Sequence, residues 1–353
     1  MGPTAVTELF GIRHPILCAP MARAATPELA AAVSEAGGLG GLGSAVLPAE
    51  KLRRQAAAVR ALTDEPFNLN FFVHPTPEIA PERAERARER VAALYIEDGL
   101  GEPPVPSVPP IGFDDERLAA ALEIRPAVVS FHFGLPEPAA VAAIRDAGTR
   151  VIASATTTAE AVRLQELGAD AVIAQGAEAG GHRGSFLVDG DDGPIGTLAL
   201  VPQVVDAVSL PVIATGGIAD GRGLAAVLAL GAGAAQIGSA FLACPEASVH
   251  PAHLEALRGA AGEATAITRA FSGRPARAVR NDLSEAVGDH EVLPFPAQTS
   301  LTAPLAETGR NPAQRLPIWL GQAASLAAER PAAEVVGSLV EQAGRVLAGL
   351  RAA

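Results

Sequence analysis

The chain has 353 residues, of which 49% are hydrophobic, and its formal net charge is −12 at pH 7. This charge argues against nucleic acids and anionic membranes as partners, and the length allows one large domain or two ordinary ones. Every apolar run is interrupted before it reaches the length of a membrane span, and the N-terminal residues show no secretory signal pattern. The two cysteines, Cys18 and Cys244, form no CxxC pair. We therefore expect a reduced, cytoplasmic protein.

Several classes of catalytic site are not expected from this sequence. The single lysine, Lys51, lies in a polar helical stretch, which argues against a lysine Schiff base. There is neither a GxxxxGK[ST] phosphate loop nor a GxSxG nucleophile elbow. No set of His, Cys, Asp and Glu residues has the spacing of metal ligands, so we expect no metal.

Short apolar runs alternate with alanine-rich helical stretches along most of the chain. The predicted strands cover residues 15–18, 39–42, 67–72, 127–131, 150–154, 171–174, 211–214 and 234–237. Repeated strand–helix units with apolar strands predict a parallel sheet that is covered on both faces. Eight such units in about 250 residues predict a TIM (β/α)8 barrel. A doubly wound open sheet is the alternative, but no GxGxxG follows the first strand.

Two segments fall outside this alternation. Residues 73–113 have proline-rich ends around a charged helix, which indicates an insertion after the third strand that forms part of a lid. Residues 266–353 form a second, mainly helical region that we expect to pack over the barrel mouth, with irregular stretches at 271–283 and 293–305. The barrel itself would then comprise residues 1–72 and 114–265.

Polar residues follow the carboxyl ends of the predicted strands, where a barrel has its active site. They are Ser44, Asn70, His132, Ser154, Gln175, Thr215 and Ser239, and Met21 follows the first strand at the same end. The amides of Asn68, Asn70 and Gln175 can both donate and accept, so with Ala19-Pro20-Met21 they suit the edge of a flavin ring or a base. The alternative is that these amides satisfy only the loop backbone.

Two glycine-rich turns indicate a phosphate site. Residues 215–223 and the pair Gly238-Ser239 offer backbone N–H groups, and a predicted helix begins after the first turn. Amide donors and the helix dipole both favour an anion at such a place. We expect Asp220 to cap that helix instead of contacting the phosphate. Plain tight turns are the alternative.

The segment 169–186 (ADAVIAQGAEAGGHRGSF) ends a strand in a glycine-rich turn that carries His182. Glycines let backbone and ligand approach closely, and a histidine can exchange protons near neutral pH. The alternative is a loop histidine that binds a backbone carbonyl. His132, which lies between two phenylalanines, either contacts the ligand or is a packed, hydrogen-bonded neighbour. No role is assigned to the other histidines, which are His14, His74, His250, His253 and His290.

Together these motifs resemble the nitronate monooxygenases of class I type, formerly called 2-nitropropane dioxygenases. The resemblance extends from Pro15 to about Gln322 and is most specific in SFHFG (130–134) and QGAEAGGHRG (175–184). Further matching pieces are CAPMA, GGLGGLGS, FNLNFF, ATGGIADGRG, IGSAF, FSGRPAR and IWLGQ. The ATGGIADGRG loop alone also resembles related flavin barrels and inosine-monophosphate-dehydrogenase-like barrels.

The resemblance implies a TIM barrel with a small lid and noncovalently bound FMN. It implies oxidation of alkyl nitronates, such as propionate 3-nitronate, by O2 to a carbonyl compound and nitrite, through a flavin semiquinone. His182 would act as base toward neutral nitroalkanes, or would hold the anionic nitronate when protonated. The substrate would also contact His132 and Gln322. The expected cofactor contacts are Ala19, Pro20, Met21, Asn70, Ser154, Gln175, Gly180, Gly181, Thr215, Gly216, Gly217, Gly238 and Ser239.

The sequence departs from the family pattern at two places. Several family members have tyrosines and a lysine in the segment that corresponds to 293–305, where this chain has Phe295, Gln298 and Thr302. The only tyrosine of the chain is Tyr95. Some related barrels also have a lysine near the flavin at the end of the fifth strand, where this chain has Ser154.

Three other functions stay open on the sequence alone. The first is an NAD(P)H-dependent flavin reductase acting on quinones or enoyl thioesters, and the second is a flavin-binding regulatory barrel without catalysis. The third is a phosphosugar or nucleotide isomerase, although no pair of carboxylates lies at the strand ends. For each reading we expect a small-molecule ligand, no nucleic acid, no membrane, and a monomer or homodimer.

Overall fold

The computed structural model describes residues 2–188, 193–259, 262–288 and 292–352. Its strands are β1 (Ile16–Cys18), β2 (Gly40–Gly43), β3 (Phe67–Phe72), β4 (Val128–His132), β5 (Arg150–Ala155), β6 (Ala171–Gln175), β7 (Gly181–His182), β8 (Val212–Thr215), β9 (Ala234–Ile237), β10 (Thr265–Thr268) and β11 (Ala276–Val279). Its first helices are α1 (Ala5–Phe10), α2 (Pro27–Glu35), α3 (Ala49–Leu62), α4 (Pro81–Glu97), α5 (Asp115–Ile124), α6 (Pro138–Asp146) and α7 (Thr158–Glu166). The remaining α-helices are α8 (Thr197–Ala207), α9 (Gly221–Ala229), α10 (Pro251–Gly259), α11 (Asp282–Val287), α12 (Thr299–Thr308) and α13 (Ala332–Ala352).

Eight parallel strands form the barrel that the sequence predicts. Their order is β1-β9-β8-β6-β5-β4-β3-β2, and an isolated parallel bridge between Leu17 and Leu39 joins the two end strands. The observed strands differ from the predicted ranges by about one residue, and β3 and β9 agree with them. The predicted TIM barrel is therefore confirmed, and the open doubly wound sheet is not found.

Helix starts follow from local sequence. Thr26 caps α2 with its side chain and Pro27 occupies the first turn, while Asp114 and Thr157 cap α5 and α7 in the same way. Such side chains accept a hydrogen bond from an N–H group that has no partner within the helix. These caps fix where each of the three helices begins.

The interior of the barrel changes from apolar to polar along the strands, because alternate side chains point inward. Near the amino ends, the inward residues form an apolar core that α1 closes from below: Leu17, Leu39, Val128, Ile152, Ile173 and Ile213, packed with Val6, Phe10 and Ile12. Two residues further along the same registers, the inward residues are polar: Asn70, Ser130, Ser154, Gln175, Thr215 and Gln236, with His132 beyond Ser130. The fold therefore places its polar groups at the carboxyl end of the barrel.

The C-terminal region is mainly helical, as the sequence predicts, but it also contains strands, which corrects the prediction of an irregular stretch at 271–283. Strand β11 lies inside that stretch and pairs in antiparallel fashion with β10 and with β7, the short strand that carries His182. The stretch at 293–305 likewise ends in helix α12. The small sheet β10-β11-β7 therefore holds His182 from outside the barrel.

The last helix does not lie over the barrel mouth. Helix α13 packs against the outside of the barrel next to α9 and α2, where Val336 and Leu339 join the core that surrounds the strands. In a TIM barrel each strand is followed by an outer α-helix, but β9 is followed directly by a short 3-10 helix (Ser239–Ala243). The outer surface at this point is therefore available to the amphipathic helix α13. Gly221 of α9 lets α13 approach this closely. A side chain at this position would clash, because its Cβ atom would lie 2.3 Å from the Cβ atom of Gln342.

The predicted insertion and the C-terminal region share a second apolar core. Val91, Leu94 and Tyr95 of α4 pack with residues of the C-terminal region, which include Phe271, Leu293, Leu301 and Leu305. The Tyr95 hydroxyl donates to the Leu301 carbonyl at 2.9 Å. The division of the chain into barrel, insertion and C-terminal region stays a prediction, since these parts share cores. None of the described helices combines the length and the apolar character needed to cross a membrane.

Candidate active site

The polar layer at the carboxyl end of the barrel leaves two acceptor atoms open. The amide nitrogens of Asn68 and Asn70 both donate to the Ser130 hydroxyl oxygen, at 2.8 and 3.0 Å. The Asn68 Oδ1 and Gln236 Oε1 atoms are buried and have no hydrogen-bond partner among the described residues. Buried polar atoms are normally paired, so this layer is suited to a ligand that brings N–H or O–H donors.

Gln175 fixes the turn that leads to His182. Its Nε2 atom donates to the His182 carbonyl at 3.0 Å, and its Oε1 atom accepts from the Gly184 N–H at 2.8 Å. The sequence predicts Gln175 as a cofactor contact, and the structure does place it at the barrel mouth. However, both the nitrogen and the oxygen of the Gln175 amide bind the protein backbone. In this structure Gln175 therefore stabilises the loop that carries His182.

The segment after His182 is held by two buried charges that the sequence analysis did not identify. Arg183, which is 1% exposed, donates to the Gly176 carbonyl at 2.6 Å and to the Gln175 carbonyl at 3.1 Å. Burial lowers the pKa of Arg183 to about 10, so the guanidinium stays charged at neutral pH.

The second buried charge is Glu160 of α7, which is 0% exposed. Its carboxylate accepts from the N–H groups of Phe186 at 2.6 Å and Leu187 at 3.1 Å. It also accepts from both the N–H and the hydroxyl of Thr156 at 2.7 Å. A carboxylate with this many donors is well compensated for its burial. The loop around His182 is therefore fixed by Gln175 and Glu160 of the barrel and by its own Arg183.

His182 presents one open ring nitrogen at the barrel mouth. Its Nε2 atom is 2.9 Å from the Ser272 hydroxyl, and its Nδ1 atom has no hydrogen-bond partner in the described ranges. Burial, followed by the neighbouring His132 and Arg274, lowers the pKa of His182 to about 3. The ring is therefore neutral at pH 7, and Nδ1 is either a donor or an acceptor according to the tautomer.

His132 positions His182 from below. Its Nε2 atom is 3.0 Å from the His182 carbonyl, which can only accept, so this nitrogen carries the proton. Its Nδ1 atom lies 3.0 Å from the Ser154 hydroxyl, which then donates to it. Burial lowers the pKa of His132 to about 4, which keeps the ring neutral. Both nitrogens of His132 bind the protein, so the substrate contact predicted for His132, like the cofactor contact predicted for Ser154, stays a prediction.

The two glycine-rich turns provide backbone donors. Gly216 and Gly217 adopt φ values of 111° and 70°, which favour glycine. Within the described part of the chain, no acceptor is found for the N–H groups of Gly216, Gly217 and Gly238. Consecutive amides of this kind form an anion-binding concavity. The prediction of free donors at these turns therefore agrees with the geometry.

The helix that follows the first turn is already capped. The Asp220 side chain accepts from the N–H groups of Arg222 and Gly223, as the sequence predicts. The Gly221 N–H donates to Gln342 Oε1 of α13 at 3.2 Å. The first N–H groups of α9 are therefore occupied, and the loop amides remain as the donors for an anion.

The other predicted cofactor residues lie around the same mouth. A Cβ atom on Gly238 would lie 3.5 Å from Ala19 Cβ and 3.9 Å from Met21 Sδ, so the segment Ala19-Pro20-Met21 adjoins this turn. At Gly181, where φ is 76°, no atom lies within 4 Å of such a Cβ, and the space beside it is open. At Gly180 the close neighbour is protein backbone, since the Cβ would lie 2.6 Å from the Gly321 nitrogen.

Three other predicted contact residues, Thr215, Ser239 and Gln322, form hydrogen bonds within the protein itself. The Thr215 hydroxyl donates to the Gln236 carbonyl at 2.8 Å, and the Ser239 hydroxyl accepts from the Gly321 N–H at 3.0 Å. Gln322 is exposed, and its backbone N–H donates to the Glu178 carbonyl at 3.0 Å. The roles of these residues toward a ligand stay predictions.

Aromatic residues around His182 form the part of the site that the sequence analysis missed. Four rings have centroids within 6 Å of the imidazole, and they belong to Phe72, Phe133, Phe295 and Trp319. Ser272 and Arg274, which approach from the loop before β11, were also missed. The motifs FNLNFF, SFHFG, FSGRPAR and IWLGQ contain all of these except Phe295, but spacing along the chain does not show that they meet.

Other reactive groups are not gathered here. Both cysteines are buried and free, and burial raises the pKa of Cys18 and that of Cys244, the latter to about 12. Thiols of this kind are inert. Among the residues that the structure describes, no group of three His, Cys, Asp or Glu side chains could hold a metal ion.

Comparison with known proteins agrees with this geometry. A family model described as nitronate monooxygenase matches residues 3–342. Proteins named nitronate monooxygenase from Pseudomonas aeruginosa and Paraburkholderia phytofirmans are 45% and 43% identical; the alignments cover 95% and 99% of this chain and 98% of each relative. A nitroalkane oxidase structure from Streptomyces ansochromogenes superposes with a TM-score of 0.90 at 39% identity, over 98% of this chain and 100% of that one. FabK from Thermotoga maritima superposes with a TM-score of 0.77 at 32% identity, over 100% of this chain and 99% of that one.

The family match covers nearly the whole chain, and the relatives share its full length. Barrel, glycine turns and the His182 loop all lie inside the matched residues. The chain therefore belongs to the nitronate monooxygenase family and is an enzyme of this group of flavin-dependent oxidoreductases.

Proposed function

We propose that this enzyme binds FMN and oxidises alkyl nitronates with O2 to a carbonyl compound and nitrite. Propionate 3-nitronate is the example that the family resemblance implies. The observation that carries the proposal is the position of His182. Its ring is fixed by Ser272 at one nitrogen and open at the other, at the same end of the barrel as the free amides of the glycine turns.

The residues present fit an FMN cofactor. The free N–H groups of Gly216, Gly217 and Gly238, with Ser239 beside them, suit its phosphate. The open acceptors Asn68 Oδ1 and Gln236 Oε1 suit hydrogen-bond donors of the cofactor. The ring would lie near Ala19, Pro20, Met21, Asn70, Gln175, Gly180, Gly181 and Thr215. When bound, the flavin supplies the electron acceptor for the substrate and the reaction with O2.

His182 is neutral before it meets either an anionic or a neutral substrate, and it becomes an imidazolium only when it takes the proton of the neutral one. If the Ser272 hydroxyl donates to Nε2, the ring carries its proton on Nδ1 and can donate it to a nitronate oxygen. If Nε2 carries the proton, Nδ1 can accept a proton from the carbon of a neutral nitroalkane. The low pKa of His182 argues that the ring carries one of these two neutral forms before substrate binds.

The chain keeps this ring in place through its backbone. The His182 carbonyl accepts from both Gln175 and His132, and β7 is paired with β11 on its other side. The surrounding aromatic rings place apolar surface next to the His182 ring. We also propose that the protein is cytoplasmic and acts as a monomer or homodimer.

The proposal is tested by identifying the bound cofactor and by measuring the products of the reaction. The purified protein should release FMN on denaturation, and under air it should consume O2 and form nitrite when an alkyl nitronate is added. The change balances when two nitronate ions and one O2 give two carbonyl molecules and two nitrite ions. A flavin-free protein, or nitronate left unchanged while NADPH drives rapid O2 consumption, would contradict the proposal.

A further inference from the structure

The substrate side of the site is enclosed by aromatic rings. The centroids of Phe295 and Trp319 lie 5.4 and 5.3 Å from that of His182, and those of Phe72 and Phe133 lie 5.9 Å away. The rings come from four separate segments of the chain, and Phe271 extends the group by packing on Trp319 at 5.4 Å. A substituent next to the reacting carbon would therefore meet apolar surface on several sides.

One cationic side chain adjoins these rings. The Arg274 guanidinium lies 3.8 Å from the centre of the Phe133 ring and donates to the Ser185 carbonyl. Its positive charge, after burial and the neighbouring His132, also lowers the pKa of His182. A nitronate carries one negative charge, so a single neighbouring cation suits a substrate with no other charge.

The neighbours of Phe295 include one further polar ring. The centroid of the His74 imidazole lies 4.9 Å from that of Phe295, and burial lowers the pKa of His74, so this ring brings no positive charge for a second anion at neutral pH. Lys51 is exposed on α3, which lies on the outside of the barrel. Gln298 uses its amide to bind the Leu293 N–H at 3.0 Å and the Ala270 carbonyl at 3.1 Å. The Thr302 hydroxyl donates to the Phe271 carbonyl at 2.7 Å. The polar residues of segment 293–305 thus hold the backbone, and Phe295 alone of the three turns its side chain to His182.

We propose that this site selects nitronates with apolar substituents and discriminates against those that carry a carboxylate, such as propionate 3-nitronate. The inference rests on the proposed function and refines its substrate class. A carboxylate placed against the aromatic rings would lose its hydration and meet the neutral His74 ring instead of a second cation, which is costly. An alkyl group of the same shape would gain from leaving water.

Two substrates of the same shape test the inference on the unmodified holoenzyme. In 3-methylbutyl nitronate an isopropyl group replaces the carboxylate of propionate 3-nitronate. We expect kcat/KM to be at least about tenfold higher for the isopropyl compound. A kcat/KM that is equal, or higher for propionate 3-nitronate, overturns the inference but leaves the proposed function intact. If neither compound is oxidised, the proposed function fails and the inference fails with it.

Two variants at Phe295 locate the selectivity in the rings. Phe295→Lys brings an ammonium group next to the substrate substituent and should shift the ratio about tenfold or more toward propionate 3-nitronate. Phe295→Leu is the matched control, since it shortens the ring without adding charge and should keep the preference for the isopropyl compound. Retained FMN and unchanged Trp319 fluorescence establish that both variants are folded. A ratio that Phe295→Lys leaves unchanged would contradict the assignment.

Discussion

Replacing His182 by asparagine is expected to lower kcat/KM for a neutral nitroalkane by about 100-fold or more. For the corresponding preformed nitronate, the expected loss is about tenfold or less. Asparagine can still donate a hydrogen bond to a nitronate oxygen, but it cannot accept the proton that a neutral nitroalkane must lose. The two substrates differ only by that proton, so their ratio isolates proton transfer from binding.

The structure supplies the reason for this split. Burial lowers the pKa of His182 to about 3 and keeps the ring uncharged at neutral pH. Its replacement by asparagine therefore removes no positive charge that would attract the nitronate. For the same reason, kcat/KM for the nitronate should show no inflection from His182 near pH 6.5, the ordinary value of a histidine. Because the depressed pKa lies below that value, the neutral form persists through the whole range above about pH 4.

A histidine away from the site serves as the control. His253 of α10 is also partly buried with a lowered pKa, but it lies outside the residues that surround His182. His253→Asn should leave both kcat/KM values within about twofold of the original. An equal loss on both substrates in His182→Asn would mean that the ring acts on the bound anion, and the neutral-base account would then be wrong.

Replacing Arg315 by methionine should lower the free energy of unfolding by about 3–5 kcal/mol. Arg315 is 0% exposed and pairs with Asp98, which is 1% exposed on its side chain, at 2.9 Å. It also pairs with Glu97 at 3.0 Å and with Asp282 at 3.5 Å. Removing the cation leaves the Asp98 carboxylate buried without its partner, which is the costly way to break a buried ion pair.

The matched control is an exposed pair of the same kind. Arg258 pairs with Glu329, and the side chains of both are more than half exposed. Arg258→Met should cost no more than about 1 kcal/mol, since water solvates the remaining charge. Urea unfolding followed by the fluorescence of Trp319, the single tryptophan, measures both variants. Similar losses of unfolding free energy in the two variants would contradict the larger cost expected for breaking the buried pair of Arg315 and Asp98.

The barrel could be predicted because its pattern is local. Each strand is a short apolar run, and the residues that begin α2, α5, α7 and α9 are helix caps visible in the sequence. The glycine turns and His182 follow strand ends, so the rule that a barrel binds its ligand at that end gathers them correctly. These parts required no knowledge of contacts between distant segments.

The parts that could not be predicted depend on distant contacts. Strand β11 lies between Pro275 and a capped helix, and it is a strand because it pairs with β7 and β10. Helix α13 has an apolar stripe, but the stripe alone does not show that α9 and α2 will cover it. The ring around His182 likewise draws Phe295 and Trp319 from segments more than a hundred residues further along the chain.

The central claim is that the bound flavin takes electrons from a nitronate and not from a nicotinamide. The most direct test mixes the purified yellow protein without oxygen, first with 3-methylbutyl nitronate and then, in a separate sample, with NADPH. The account predicts a prompt loss of the oxidised flavin absorbance with the nitronate and a slow one with NADPH. Rapid bleaching by NADPH with no response to the nitronate would contradict it and would indicate a flavin reductase.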